Sequence, residues 1–477
     1  MCTLKNKVWI ATILLLNTSS LISQNWETVG GSTNSHVRAF FGDTLDNVLY
    51  LGGRFKYAGG TEVNGIAKWD GEQYHPLGTG HDNCDSFTCP SFYSIIRYKD
   101  EIYASNFGYS IGGVPIKGIA RWDGVKWDSV GSGIRDFDGD AGIVWGQLVY
   151  NDELYIYGRF PLAGSVISHA IVKWNDEDYI PLDFPYSPPL TNYPQIVGAT
   201  IFEGQLYVGG QFATGPNVAD QLDVARYDWE NWYPVGGGIK GTIGDVNDLI
   251  VYKDELYICG NFRKSYGNAG NGIMKLKDDA WVDVGGSFDE ETVVAHDMVI
   301  YHDDLYVFGT FHSVGGGVSA DNAAKWDGEK WCGLGGDFDQ RIERAVVFKD
   351  TIFIGGGFRS IDNDTVLFIA KWSGDYVDTC GMPVATLSQP ERPTALSLSP
   401  NPAQSTIHVS AQLPVIYRGV VSLSAYNILG QPLWQRTLPA ASGELQASVD
   451  VSTWPPGVYF ISLEASGVVW VEKVLVR

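Results

Sequence analysis

The segment Asp136-Phe137-Asp138-Gly139-Asp140 sets three carboxylates around one glycine. Acidic side chains at alternate positions of a tight turn offer the oxygen donors that a Ca²⁺ ion takes, and Ca²⁺ is the one cofactor the chain suggests. The pattern is partial, because no glutamate closes a twelve-residue loop, and a solvated acidic turn would use the same residues. Phe184, Tyr186 and Tyr193 lie in a proline-rich insertion from Asp183 to Pro194. Three rings in one loop offer a stacking platform for a sugar, with packing around the prolines as the competing use. Cys84 and Cys89 are spaced to close a small disulfide ring in an oxidising compartment, and Cys332 with Cys380 forms a second candidate pair. Cys259, inside an apolar run, reads as a buried thiol.

Catalytic residues are not singled out. Acids are plentiful enough for a glycosidase pair, but their abundance selects none of them. No Gly-x-Ser-x-Gly elbow is present, no Cys-x-x-Cys spacing marks a metal site, and the eight histidines are scattered. The net charge of −22, from 33 basic and 55 acidic residues, opposes nucleic acid and anionic headgroups and suits cations, basic partners or neutral sugars.

The elements that must position these residues repeat. An apolar-aromatic pair, glycine and a closing Phe recur as LYLGGRF from Leu49, IYASNF from Ile102, LYIYGRF from Leu154, LYVGGQF from Leu206, LYICGNF from Leu256, LYVFGTF from Leu305 and IFIGGGF from Ile352. The starts are 53, 52, 52, 50, 49 and 47 residues apart. A period near fifty built of short strands and turns belongs to propeller blades. Each unit parses into four strands: an apolar run, the glycine phrase, an IAKWDG-type segment, and a strand opening on an aromatic five residues after that Trp. Trp69 faces Tyr74, Trp122 Trp127, Trp174 Tyr179, Tyr227 Trp232, and Trp326 Trp331 across an Asp-Gly hairpin turn. The expectation is an all-β chain with a seven-bladed β-propeller. Trp26 to Gly30 is a stray fourth strand able to complete the last blade, in competition with Tyr376 to Thr379.

Lys5 and Lys7 precede an apolar run from Val8 to Leu16, which reads as a secretory signal over residues 1–24. It is too short to cross a bilayer, and no transmembrane segment is expected in the mature chain. The propeller then covers 25–383, a linker 384–393, and a small β-sandwich 394–477. That last segment holds four acids and four bases, so the acidity belongs to the repeats.

The repeats resemble the propellers of secreted Bacteroidetes proteins and, more distantly, kelch-like and galactose-oxidase-like propellers and fungal bud-site cortical markers. The sialidase Asp-box and the galactose-oxidase copper arrangement are not found. The tail carries Ser399-Pro400-Asn401-Pro402-Ala403, Tyr426-Asn427-Ile428-Leu429-Gly430, Gly457-Val458-Tyr459-Phe460 and a closing Lys473-Val474-Leu475-Val476-Arg477. These resemble the type A sorting domain of the type IX secretion system (T9SS), which implies export through that machinery and a secreted or outer-membrane surface-attached product. The reading is a binding or adhesion module for a glycan or surface protein. A propeller glycoside hydrolase or lyase, marked by carboxylates converging in a deep central pocket, is the alternative, and a structural surface-layer component is the third. The long loops His81 to Pro90, Arg135 to Ala141, Asp183 to Pro194, Gly215 to Asp223 and Asp289 to Glu291 mark the candidate face.

Overall fold

The computed structural model describes residues 26–85, 88–185, 194–212, 223–241, 245–372, 396–412, 419–427, 432–440, 444–465 and 468–477. The secretory signal expected over 1–24 and the linker over 384–393 lie outside them. The chain divides into two compact units, Met1–Val384 and Ala385–Arg477.

In the first unit the described residues form seven four-stranded antiparallel sheets, accompanied by hairpins of two-residue strands. Sheet 1 runs Val37–Asp43, Val48–Gly53, Ile66–Trp69 and Tyr74–Pro76 from inner to outer strand. The inner strands of sheets 2 to 7 are Phe92–Tyr98, Ile143–Tyr150, Gln195–Phe202, Asp245–Tyr252, Val294–Tyr301 and Ile342–Val347. In sheet 7 the outer strand is Trp26–Thr28, which pairs Trp26 with Trp372 and Thr28 with Ala370. The rival segment, Tyr376 to Thr379, lies outside the described residues.

Seven apolar cores alternate with the seven sheets. Ile95 and Ala104 of sheet 2 share a core with Tyr50 and Ile66 of sheet 1. Phe348 and Ile369 of sheet 7 share another with Val37 and Leu51 of sheet 1. The expected aromatic pairs face one another in register, with ring centroids 4.6 Å apart for Trp69 and Tyr74 and 5.2 Å for Trp326 and Trp331.

Neighbouring sheets share no ladder, so side chains must set one sheet against the next. In five of the seven sheets the first residue of the outer strand does this, whereas Trp281 Nε1 of sheet 5 and Trp26 Nε1 of sheet 7 have no partner among the described residues. Tyr74 Oη donates to the Val29 carbonyl at 2.8 Å, Trp127 Nε1 to Leu77 at 2.8 Å and Tyr179 Oη to Val130 at 2.7 Å. Trp232 Nε1 and Trp331 Nε1 donate likewise to Leu182 at 2.7 Å and Val284 at 2.8 Å. Each acceptor immediately follows the outer strand of the preceding sheet. Tyr and Trp alternate here because each combines a bulky apolar body with one donor at its tip. At the ends of the inner strands, Tyr98, Tyr252 and Tyr301 donate to the Asp152, Asp303 and Asp350 carbonyls in the first turn of the following sheet.

Four segments per unit undercount the structure. Between second and third strands most units carry a further small hairpin, such as Tyr57–Ala58 with Thr61–Glu62 and Ser110–Ile111 with Val114–Pro115. The hairpins bridge back to the loop that follows the preceding outer strand, through Thr33 to Ala58 and Phe288 to Val314.

The second unit has a three-stranded sheet, Leu396–Ser399, Thr406–Gln412 and Glu444–Asp450, and a four-stranded one, with Gly419–Asn427, Pro432–Ala440, Gly457–Ala465 and Val468–Val476. Ile407 and Val409 of the first sheet and Leu423 and Ile461 of the second lie in one core. The terminal motifs clasp each other. Asn401 Nδ2 donates to Lys473 O at 3.0 Å, Leu475 N donates to Asn401 Oδ1 at 3.0 Å, and Ala403 N donates to Leu475 O at 2.8 Å.

The tie between sheets is testable. Tyr179→Phe keeps the ring but removes this bond, leaving the Val130 carbonyl with Gly133 N alone, and is expected to lower the unfolding free energy by about 1 kcal/mol. Denaturant titration measures this, and an unchanged midpoint would show that the bond adds nothing to stability.

Candidate functional site

Strand direction alternates across each sheet, so inner strands begin at the same edge where second and third strands are joined. The long loops share that edge. Near it, every inner strand carries a β-bulge, in which one residue has no partner on the second strand. The ladder skips between Val37 and Ala39, Phe92 and Ser94, Val144 and Gly146, and Ile196 and Gly198. It skips again between Val246 and Asp248, Ala295 and Asp297, and Ile342 and Arg344. The bulged residues are Arg38, Tyr93, Trp145, Val197, Asn247, His296 and Glu343, and all seven are half-buried. The residue before each is buried.

The glycine phrase explains the bulges. A Cβ on its second glycine would lie 2.1 Å from His36 O at Gly53, 2.0 Å from Ile143 O at Gly158 and 1.9 Å from Asp245 O at Gly260. A residue without Cβ lets the second strand approach the bulged backbone this closely, although sheet 2 keeps its bulge with Asn106 at this place. The first glycine has a different neighbour, since a Cβ on Gly52 would meet Phe92 and Ile95 of the next sheet. Crowding between sheets therefore accounts for the first glycine, and the bulge of its own sheet for the second.

The bulges surround a cavity of about 190 Å³ to which all seven sheets contribute. Tyr93 and Trp145 meet edge to face at 4.8 Å, with the Arg38 guanidinium 5.7 Å from the Tyr93 ring centre. Deeper lie Asp248, Asp297 and Arg344. Both aspartates keep some surface in the cavity, but its narrow walls make their surroundings those of buried carboxyls. Burial pushes both well above the usual carboxylate range; Asp297 adds to the push on Asp248, and Arg344 opposes it at each. Their oxygens hold neighbouring strands: Asp248 Oδ2 accepts from Met298 N at 3.0 Å, and Asp297 Oδ2 from Ala345 N at 2.6 Å. These acids tie sheet 5 to 6 and sheet 6 to 7.

Glu343 anchors the rim between sheets 7 and 1. Its Oε1 accepts from Arg341 Nε at 3.0 Å and contacts His36 Nδ1 at 3.0 Å, while Oε2 accepts from Arg38 Nε at 3.0 Å. Burial pushes its carboxyl up, but the His36 bond and the charges of Arg38 and Arg341 outweigh this and hold it at about 2. His296 faces the opposite constraint, with burial and the charge of Arg344 lowering it to about 4.

The residues expected from sequence fare differently. Asp136, Asp138 and Asp140 do not converge, and no group of three ligating side chains among the described residues gathers to hold a metal. Asp136 Oδ1 accepts from Phe137 N at 2.5 Å, and Lys117 Nζ donates to the Gly139 carbonyl at 2.7 Å, where a cation would seek an oxygen. Phe184 is no open platform: it is 2% exposed, with Phe212 and Trp232 edge-on at 4.9 and 4.7 Å. Tyr186 and Tyr193 lie outside the described residues. Cys84 and Cys89 form a disulfide, with Cα atoms 4.3 Å apart. Cys332 is also disulfide-bonded, Cys380 lies outside the described residues, and Cys259 is a buried free thiol. Asp289, Glu290 and Glu291 diverge to hold loops, through Gly316 N, Ser313 Oγ and Ser265 Oγ respectively.

The bulged residues escape notice in sequence because they are where the repeats differ. The available signal was their place, directly after the apolar residue that opens each inner strand. Glu343→Gln should destabilise the fold at neutral pH. A folded pKa near 2 against 4.5 for an ordinary glutamate means this stabilisation is complete above about pH 5 and fades as pH falls toward 2. Denaturant titrations of both proteins across that range should therefore converge in acid, and a gap independent of pH would refute the assignment.

A solved structure titled "Glycoside hydrolase" is 9% identical, with a TM-score of 0.28, over 94% of this chain and 97% of that one. Dimeric latent PorU from Porphyromonas gingivalis is 11% identical, with a TM-score of 0.15, over 68% of this chain and 31% of that one. Likenesses of that size carry no argument about fold or activity. No curated protein matches the chain. Among the described residues no helix is long and apolar enough to cross a membrane. Residues 397–477 match the family model of the secretion system C-terminal sorting domain, a T9SS element that marks the protein for export and for a secreted or cell-surface location.

Proposed function

We propose that the seven sheets are the blades of a seven-bladed β-propeller, and that this propeller is a secreted or surface-attached binding module exported by its sorting domain. Blade order is supported by the seven shared apolar cores and by the cavity to which every sheet contributes. One observation carries the binding reading. The seven units keep the bulge, the buried residue before it and, in most, the glycine opposite, yet the bulged side chain is Arg, Tyr, Trp, Val, Asn, His or Glu. A scaffold that repeats while one accessible position differs in every copy presents an asymmetric recognition surface on a near-symmetric frame.

The cavity of about 190 Å³ is below the roughly 300–1,000 Å³ of small-molecule sites, which favours recognition at the rim. The alternative of a glycoside hydrolase or lyase draws on Asp248 and Asp297, but their bonds to Met298 N and Ala345 N give them a structural use. In this reading residues 1–24 are a secretory signal, 25–383 the propeller, 384–393 a linker and 394–477 the sorting domain.

Two outcomes follow. Deleting 394–477 should leave the protein inside the cell envelope, detected by fractionation; normal release of the truncated chain would defeat the export reading. On a panel of glycans and surface proteins the purified protein should bind saturably without releasing product, and Trp145→Ala should weaken that binding. Product release would make it an enzyme, and no binding to any ligand would favour a structural surface component.

A further inference from the structure

The rim between sheets 7 and 1 has more cations than its acids neutralise. Arg38 and Arg341 share the single carboxylate of Glu343, and His36 touches it too. Arg54 donates its backbone N–H to His36 O at 2.9 Å, and its side chain is exposed with no ion pair among the described residues. Arg359 lies 5.6 Å from the Phe368 ring centre, and that ring stacks on His36 at 5.7 Å. Asp339, which lies near Arg359, already accepts from Arg359 N and Ser360 N. Four guanidinium groups thus stand against two carboxylates, Glu343 and Asp339. Arg38 engages it through Nε, with no further bond from its terminal amino groups among the described residues.

What adjoins this surplus is aromatic. Tyr93 lies beneath Arg38, Trp145 stands edge-on to Tyr93, and the Trp145 indole N–H is buried without a partner among the described residues. A planar anion receiver and two rings within one rim match a sugar bearing a carboxylate: fork to carboxylate, ring to ring face.

We infer that this rim binds an acidic polysaccharide through its uronate residues, with Arg38 and Arg341 receiving the carboxylate and Tyr93 and Trp145 lying against the sugar. This rests on the binding reading above and narrows its ligand class. The test is calorimetric titration of the full exported protein with a galacturonate hexamer and a mannuronate hexamer, beside neutral maltohexaose and dextran sulfate. At least one uronate oligomer should bind, more weakly as salt rises, with maltohexaose weaker by about tenfold or more. Arg341→Gln lies on the exposed rim and removes one of three partners of Glu343, so it should lower the unfolding midpoint only slightly and stay folded while losing about tenfold in affinity or more. Tyr93→Ala should weaken binding without removing its salt dependence. Failure of both uronates, equal binding of maltohexaose, or affinity unmoved in Arg341→Gln and Arg38→Gln would overturn the inference. So would dextran sulfate binding as tightly as the uronates, since the rim would then read charge alone. Binding of a neutral glycan or a protein alone would end this inference and leave the binding reading intact, whereas silence with every ligand would end both.

Discussion

In five of the seven sheets a hydrogen bond from the tip of an outer-strand aromatic to a carbonyl on the preceding sheet helps fix how one sheet stands against the next. Backbone pairing between neighbouring sheets is confined to the small hairpins and the loops they bridge to, and apolar cores set separation without setting register, because hydrophobic attraction has no direction. The indole N–H or phenol O–H supplies the direction. The same step in the chain demands close approach: a Cβ on Gly30 or Gly285, which follow the acceptors Val29 and Val284, would lie 2.2 Å from Trp69 or Trp326. Val-Gly in the loop and aromatics on the following sheet are therefore two halves of one contact. Because Tyr74 reaches back to Val29, the strand Trp26–Thr28 is bound into the same system of ties.

With sheets held in this way, the bulges fall at equivalent places, and Tyr93, Trp145, Val197 and Asn247 among the bulged residues line one cavity. A bulge re-aims a side chain without breaking the strand, since the ladder resumes one residue later. In sheet 3 Tyr157 replaces the first glycine of the phrase and fills space beside Gly146, so the axis is not uniformly lined. Burial of Asp248 and Asp297 on the same axis favours their neutral forms, which lets acidic side chains occupy the wall without adding full charges to it.

Regular features of this fold were legible because regularity repeats. Strand order within each unit, the paired aromatics and the Trp26 segment were all written in the phrase spacing, and the sorting motifs in the tail. The turn between paired aromatics was read through glycine, yet Asp176 and Trp229 stand at that place in sheets 3 and 4 with φ of 79° and 78°. The common element is the preceding Asp or Asn, whose Oδ1 accepts from the two N–H groups that follow the turn, as in Asp70 with Glu72 and Gln73. Phe184 looked available because it sits among prolines and tyrosines, but its ring completes the core between sheets 3 and 4. The bulged residues were illegible for the reason that makes them interesting: a period exposes what recurs and hides the position where every copy differs.

Net charge misleads about the rim for a related reason. Much of the acidity is demanded by turns at the opposite edge. Asp70, Asp123, Asp228 and Asp327 cap the turns before the outer strands, and bonds to successive backbone N–H groups favour their ionised forms. Asp152, Asp254, Asp303 and Asp350 hold left-handed φ in the turns after the inner strands, a conformation that Asp and Asn tolerate better than most residues. These charges lie at the far ends of strands seven or eight residues long, such as Val37–Asp43 and Asp245–Tyr252, about 20 Å away at the rise of a β-strand. Screening at physiological salt acts over about 8 Å, so the rim responds to Arg38, Arg341, Arg54 and Glu343 far more than to the total of −22. Arginines at the mouth of an acidic protein are thus bulged or loop residues, on an edge that keeps acids such as Asp289 and Asp339 but lies apart from the turn carboxylates of the other edge. Composition sums the two, whereas a ligand would meet only one.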